Sequence, residues 1–269
     1  MDPAGRTVVV TGAARGIGAA LARRFVAAGA AAVVLADLDG DAAAATAADI
    51  GGAARPAGVD VTDEQQVRAL VEATLAEHGR IDLFCSNAGI TTGAGIEADA
   101  EQWQRSWAVN VLAHVYAARA VLPSMLDRGE GYLLQTCSAA GLLTAVGDAP
   151  YTVTKHAAVG FAEWLAVTYR GRGIRVSALC PQGVDTDMLR TGLRAGHVGA
   201  RVTAASGRVL DAAEVAEAAL AGIAEERFLI LPHPEVAEYL ARKTTDHERW
   251  LAGMQRLIAS APAAGEDRA

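Results

Sequence analysis

Lysine is almost absent from this 269-residue chain: there are two, Lys155 and Lys243, against 22 arginines. In a composition that fills cationic positions with arginine, a retained lysine marks a place where an ammonium is wanted and a guanidinium does not serve. Cations as a class are also outnumbered, 24 basic residues to 31 acidic ones, for a net charge of −7. No Lys/Arg cluster or run of like charge relieves that balance. A general nucleic-acid binder, which needs a basic stripe along the phosphates, is excluded. Cysteine is scarce. Cys85, Cys137 and Cys180 lie in apolar, strand-like contexts, their spacing matches no zinc pattern, and their odd number argues against a disulfide framework. The expectation is three buried, reduced thiols in a cytoplasmic protein, with no metal site. Long apolar runs are missing too. No segment offers the ~18 residues of a membrane span. Met1–Thr11 holds one arginine and the short run Val8–Val10, so neither a secretory signal nor a membrane partner is expected.

What the chain does have is apolar content, 52% of its residues, in a strict alternation of short runs and longer amphipathic ones. Strands are predicted at Arg6–Thr11, Ala31–Asp37, Ala54–Asp60, Ile81–Ser86, Tyr132–Ser138, Arg175–Cys180 and Phe228–Leu231. Helices are predicted at Ile17–Ala28, Asp41–Ile50, Asp63–His78 (capped by Thr62 or Asp63), Ala100–Leu126, Tyr151–Arg170, Asp211–Glu225 and Glu235–Ile258. Strands that are nearly all apolar, alternating with helices, imply a parallel sheet covered on both faces. Right-handed crossovers make it a doubly wound, Rossmann-type α/β sheet of about seven strands. No repeat or linker divides the chain, so residues 1–269 read as a single dinucleotide-binding catalytic domain. The Gly-, Ala- and Thr-rich stretch Asp185–Leu210 interrupts the alternation and reads as a mobile substrate lid. Ser260–Ala269 reads as a frayed tail.

The first strand-to-helix turn reads Thr11-Gly12-Ala13-Ala14-Arg15-Gly16-Ile17-Gly18. Glycines there let the backbone turn tightly and approach a diphosphate, which the helix N-terminus then receives with free N–H groups. A merely tight turn is the alternative. Asp37 ends the second strand, 19 residues after Gly18, where a carboxylate accepts hydrogen bonds from both adenosine ribose hydroxyls and repels a 2′-phosphate. That favours NAD. Arg15 keeps NADP open, since its guanidinium stands in the same loop. Asp60 ends the third predicted strand, where an adenine amino group needs an acceptor, and Asn87-Ala88-Gly89 follows the fourth. These fall at successive carboxyl ends of strands, the ligand side of an open α/β sheet.

Tyr151 and Lys155 stand four residues apart on a predicted helix and share a face. A fixed ammonium beside a phenol favours the phenolate and should bring its pKa down from about 10. The phenol then exchanges a proton with a substrate oxygen near neutral pH. A surface i,i+4 pair is the bland alternative. Ser138 ends a predicted strand 13 residues earlier and offers a hydroxyl to the same oxygen, or is a turn residue. Asn110 lies mid-helix, where a short amide is a poor helix former. It is structural, or holds a water linked to Lys155.

Taken together, these residues closely resemble the classical short-chain dehydrogenase/reductase family. The pattern Thr11-Gly12-x-x-x-Gly16-Ile17-Gly18, Asn87-Ala88-Gly89, Asn110, Ser138, Tyr151-x-x-x-Lys155 keeps the family's order and spacing over about residues 5–232. The resemblance implies an NAD(H)-dependent oxidoreductase that interconverts a secondary alcohol and a ketone. The same chemistry with NADP(H), or a non-catalytic dinucleotide-binding protein, are the alternatives. It further implies Tyr151 as catalytic acid/base, Lys155 lowering its pKa and holding the nicotinamide ribose, Ser138 positioning the carbonyl, and Asn110 supporting a proton relay. Cofactor contacts fall on Gly12, Arg15, Gly16, Ile17, Gly18, Asp37, Leu38, Asp60, Val61, Asn87, Ala88, Gly89, Tyr151, Lys155, Pro181, Gly183, Val184 and Thr186. Family members pair their long helices as tetramers or dimers, so a homo-oligomer is expected. The chain departs from the family at Pro181-Gln182-Gly183-Val184, where Pro-Gly-x-Val is usual, and at Ser86, where a second Asn is common. Leu142, Leu143 and Val146 follow Ser138 where the family builds its pocket. They suggest a mid-sized, largely apolar substrate. The helix after Pro234 lies outside the common core and either packs on a neighbouring subunit or closes the substrate pocket.

Overall fold

The apolar runs become the strands of one sheet. A computed structural model describes residues 1–260 of the chain. Its strands are β1 (Thr7–Thr11), β2 (Ala32–Asp37), β3 (Ala54–Gly58), β4 (Leu83–Ser86), β5 (Gly131–Thr136), β6 (Ile174–Leu179) and β7 (Leu229–Ile230). All pair in parallel, in the order β3-β2-β1-β4-β5-β6-β7. The helices are α1 (Gly16–Ala27), α2 (Gly40–Ile50), α3 (Glu64–His78), α4 (Ala100–Trp107), α5 (Ala113–Arg128), α6 (Ala149–Tyr169), α7 (Asp187–Arg194), α8 (Val198–Ala205), α9 (Ala212–Ala224), α10 (Glu235–Thr245) and α11 (His247–Ser260). The strand order reverses between β1 and β4, and a crevice opens there at the carboxyl ends of the strands.

Both faces of the sheet are covered, which is why its strands carry so little polarity. On one face Val9, Phe84 and Leu133 pack against Val67 of α3 and Val121 and Met125 of α5. On the other, Val8, Val10, Leu83 and Leu134 meet Leu21 and Phe25 of α1 and Val215 and Ile223 of α9. Each such side chain contributes about 1.5–3 kcal/mol on full burial. All three cysteines are buried and free, as expected.

Several elements differ from the sequence reading. β3 stops at Gly58, so Asp60 lies in a turn and not at a strand end, and β5 stops at Thr136, two residues before Ser138. Asp63, not Thr62, caps α3, accepting from Gln65 N at 2.8 Å. The helix predicted over 100–126 runs to Arg128 and widens into a π turn at Ala108–Leu112. By length and hydropathy this run, 100–128, is apolar enough to cross a membrane, against the expectation that no segment is. Half of its most apolar window is buried inside the protein, where it supplies core residues such as Ala117 and Val121. The stretch 185–210 contains α7 and α8. The final helix is two, broken at Asp246, whose backbone turns extended (φ −145°) and whose carboxylate accepts from Arg249 N at 3.0 Å. Ser260 closes α11, and the rest of the predicted tail lies outside the described residues.

Candidate active site

The glycine turn between β1 and α1 is close-packed. A Cβ on Gly18 would stand 2.1 Å from the Gly12 carbonyl oxygen, and one on Gly12 (φ +63°) would stand 2.8 Å from Ala88 Cα. Gly16 also has a left-handed backbone (φ +55°). Asn87 ties this turn to β4: its Nδ2 donates to Thr11 O at 3.0 Å and its backbone N to Thr11 Oγ1 at 3.0 Å. Asn87 is therefore a brace for the turn, as much as a wall of the cleft. No side chain caps the N-terminus of α1 and no acid stands in its first turn. Its N–H groups are free for an anion, and the cradle fits a dinucleotide diphosphate.

At the adenosine end Asp37 is held facing the turn, accepting from Ala14 N at 2.9 Å and Asp39 N at 3.1 Å. Arg15 is not free. Its guanidinium pairs with Asp39 at 3.1 Å, an acid that also caps α2 through Ala42 N. Asp60 spends one carboxylate oxygen on Thr62, from N at 2.9 Å and Oγ1 at 2.7 Å. Leu38 and Val61 line the same end of the cleft.

At the other end Ser138, Tyr151 and Lys155 face one cavity of about 1540 Å³. Ser138 has a left-handed backbone (φ +132°), a strained conformation for a non-glycine residue, and opens the short 3-10 turn Ala139–Gly141. Asp148 and Pro150 start α6, which carries Tyr151 and Lys155. Lys155 is buried, donates from Nζ to Thr136 O at 2.9 Å, and lies 5.7 Å from the Tyr151 ring centroid. An ammonium has three donors, and its other two have no partner among the described residues. Burial holds its pKa below the ordinary lysine value. The expected acidic phenol is not what the protein alone produces. Burial pushes Tyr151 up to about 12, the Ser138 hydroxyl pulls the other way, and the Asp148 carboxylate adds to the rise. Desolvation is the largest of these causes.

Asn110 does not border this cavity. From the π turn its Nδ2 donates to Ile90 O at 3.0 Å and Thr154 Oγ1 at 3.1 Å, while Oδ1 accepts from Ile90 N at 2.9 Å. It fastens the loop after Gly89 to α6. Pro181, Gly183, Val184 and Thr186 line the cleft. Gln182 turns toward the 185–210 segment, with Nε2 3.4 Å from Ser206 O and a buried Oε1 that has no partner among the described residues.

Four residues were missed. Asp39 neutralises Arg15. Asp148 gathers Tyr151 N at 2.9 Å, Thr92 N at 2.8 Å, Gly93 N at 2.7 Å and the hydroxyls of Thr91 and Thr92. His233 staples the Pro181–Val184 loop, accepting from Gln182 N at 3.1 Å and reaching Gly183 O at 3.0 Å. Lys243 binds the turn after Ser138. An acid three residues before Tyr151, at a helix start, was the one local signal among these. In the C-terminal helices, Tyr239, Trp250 and Met254 line this chain's own cleft.

Residues 6–195 match the family model for short chain dehydrogenases. The chain belongs to the short-chain dehydrogenase family. This dehydrogenase is 36% identical over 255 residues to the 1-deoxy-11-beta-hydroxypentalenate dehydrogenase of Streptomyces avermitilis, covering 91% of each chain. It is 41% identical over 192 residues to the Streptomyces exfoliatus protein of the same name, covering 69% and 70%. Its fold matches a short chain dehydrogenase/reductase from Burkholderia phymatum solved in complex with NAD, with a TM-score of 0.85, 30% identity, and coverage of 93% and 96%. The dehydrogenase is thus an oxidoreductase of CH–OH groups, working between secondary alcohols and ketones.

Proposed function

We propose that this dehydrogenase uses NAD(H), with Tyr151 as the acid/base at the substrate oxygen, Ser138 orienting that oxygen, and Lys155 supporting both phenol and nicotinamide ribose. The observation that carries the reading is the shared cleft. The glycine turn and Asp37 stand at one end, and the phenol, the hydroxyl and an ammonium with one of its three donors used among the described residues at the other. Bound NAD supplies the hydride acceptor and one positive charge. In oxidation Tyr151 takes the hydroxyl proton as the C–H hydride leaves; in reduction it returns that proton to the carbonyl oxygen. With its phenol held at about 12 in the protein alone, Tyr151 depends on added positive charge to work at neutral pH. Asn110 acts on this site through the Ile90 loop and α6, where its hydrogen bonds lie.

NAD is favoured over NADP because two carboxylates, Asp37 and Asp39, stand at the adenosine end of the cleft, where they would repel a 2′-phosphate, and the Arg15 guanidinium there is already paired with Asp39. The substrate is a mid-sized, largely apolar alcohol or ketone. Leu143, Val146, Met188, Trp250 and Met254 supply the apolar wall beyond Ser138 and Tyr151. An exposed stripe on α6, Val153, Trp164 and Val167, supports assembly as a homo-oligomer, dimer or tetramer.

The test compares NAD with NADP on secondary alcohols and repeats the assay with Tyr151→Phe. NAD should be preferred, and Tyr151→Phe should lower kcat by about 10²-fold or more. Turnover of the phenylalanine variant within a few-fold of wild type would sink the assignment of the proton to Tyr151.

A further inference from the structure

Lys243 is the second of the two lysines and lies in α10, beyond residues 6–195 that match the family. Its Nζ donates to Leu142 O at 2.8 Å and Leu143 O at 2.9 Å, and stands 3.5 Å from His156 Nε2. His156 Nδ1 lies 2.9 Å from the Thr152 carbonyl. A carbonyl only accepts, so Nδ1 carries a proton, and in the tautomer with that one proton Nε2 offers its lone pair. The three ammonium donors therefore meet three acceptors. The Trp250 ring, its centroid 5.1 Å from Nζ, covers the site. A planar guanidinium spreads its donors in one plane and does not close on such a tripod. This accounts for a lysine in a chain that otherwise uses arginine.

The partners belong to three different parts of the site. Leu142 and Leu143 follow the 3-10 turn that Ser138 opens. His156 lies on α6, one residue after Lys155. Trp250 lies on α11. One ammonium thus joins the Ser138 turn, the Tyr151 helix and the C-terminal pair of helices. The wall it secures is apolar: Leu143 and Val146 on one side, Tyr239, Trp250 and Met254 on the other.

We infer that Lys243 is a positioning residue that sets substrate specificity. It pins the C-terminal helices across the cleft and so fixes the far wall against which a bulky alcohol is held. A small alcohol reaches Ser138 and Tyr151 without touching that wall. The inference rests on the proposed alcohol oxidation for its kinetic readout, but not for its structural one.

The test uses the full chain with NAD, propan-2-ol and the bulky secondary alcohol borneol, in wild type, Lys243→Met and Lys243→Arg. Wild type should favour borneol. Lys243→Met should lower the borneol-to-propan-2-ol ratio of kcat/KM by about tenfold or more, chiefly through the KM for borneol. Amide exchange over 139–146 and 235–258 should quicken together. Lys243→Arg should shift both readouts the same way, and it decides the matter if the methionine variant no longer binds NAD. A ratio within about two-fold of wild type in a folded variant, unchanged exchange in those segments, or a wild-type preference for propan-2-ol would overturn the inference. If wild type oxidises neither alcohol, the proposed reaction fails, while exchange still decides the role of Lys243.

Discussion

His114 carries an uncharged ring into the core one helical turn after Asn110. It is 1% exposed, and its Nδ1 lies 2.5 Å from Gln135 Oε1. Burial first, and the Lys155 ammonium second, bring its pKa down to about 3. The sign follows from linkage. Between the unfolded value near 6.5 and the folded value near 3, the unfolded chain binds the proton that the folded chain refuses. Stability is therefore full above about pH 6.5 and declines as pH falls. Between pH 7.5 and 5.0 this one group should remove about 2 kcal/mol. Urea unfolding at the two pH values measures it, and His114→Leu should flatten the difference whatever its cost to absolute stability. A wild-type stability equal at both pH values would show that the ring is charged or exposed. Residues of this kind mark the limit of a sequence reading. Tyr151 and Lys155 were legible because their relation is local, four residues on one helix. Asp39, His233 and Lys243 were not, because their partners lie 24 to 101 residues away and become neighbours only when the sheet forms.

At the scale of elements, the strands and most helices were legible because each has a buried face, and burial imposes a period on the sequence. Where burial is two-sided, as along Val8–Val10, the run is simply apolar, and its boundaries blur by a residue or two. The π turn at Ala108–Leu112 was not legible. Its cause is tertiary: the Asn110 side chain satisfies both backbone groups of Ile90 from a widened turn, and nothing in the local sequence names Ile90 as the partner. The 185–210 segment looked loose because α7 and α8 are only eight residues each and their Gly and Thr content hides a helical period. The break at Asp246 was missed for the opposite reason. Glu235–Ile258 has a continuous amphipathic pattern, yet the chain must fold back for Trp250 to reach Lys243. The element that reads most simply is thus the one that tertiary contact bends.

At the scale of the whole molecule, the outer face of α6 is exposed and apolar. Val153, Gly160, Trp164 and Val167 fall within about 60° of one another on the helix. Trp164 is 54% and Val167 86% exposed, and a Cβ on Gly160 would meet nothing within 4 Å. Trp164 is nonetheless ordered by stacking on Phe161 at 6.3 Å and meeting Tyr169 edge-on at 5.9 Å. An apolar stripe with a glycine notch at its middle would let a second helix approach closely, and two copies of the stripe would face each other about a two-fold axis. α6 also carries Tyr151 and Lys155, so a partner held there would brace the helix that bears them from behind. The assembled mass should therefore be two or four times 27.7 kDa. Val167→Glu is the clean probe. At 86% exposure the side chain packs on little within its own protomer, so the change should cost the isolated fold no more than about 0.5 kcal/mol. Across a two-fold interface it would set two carboxylates against an apolar face, and light scattering should register a smaller species. A wild-type mass of one protomer, or an assembly indifferent to that glutamate, would leave the stripe on α6 without this role.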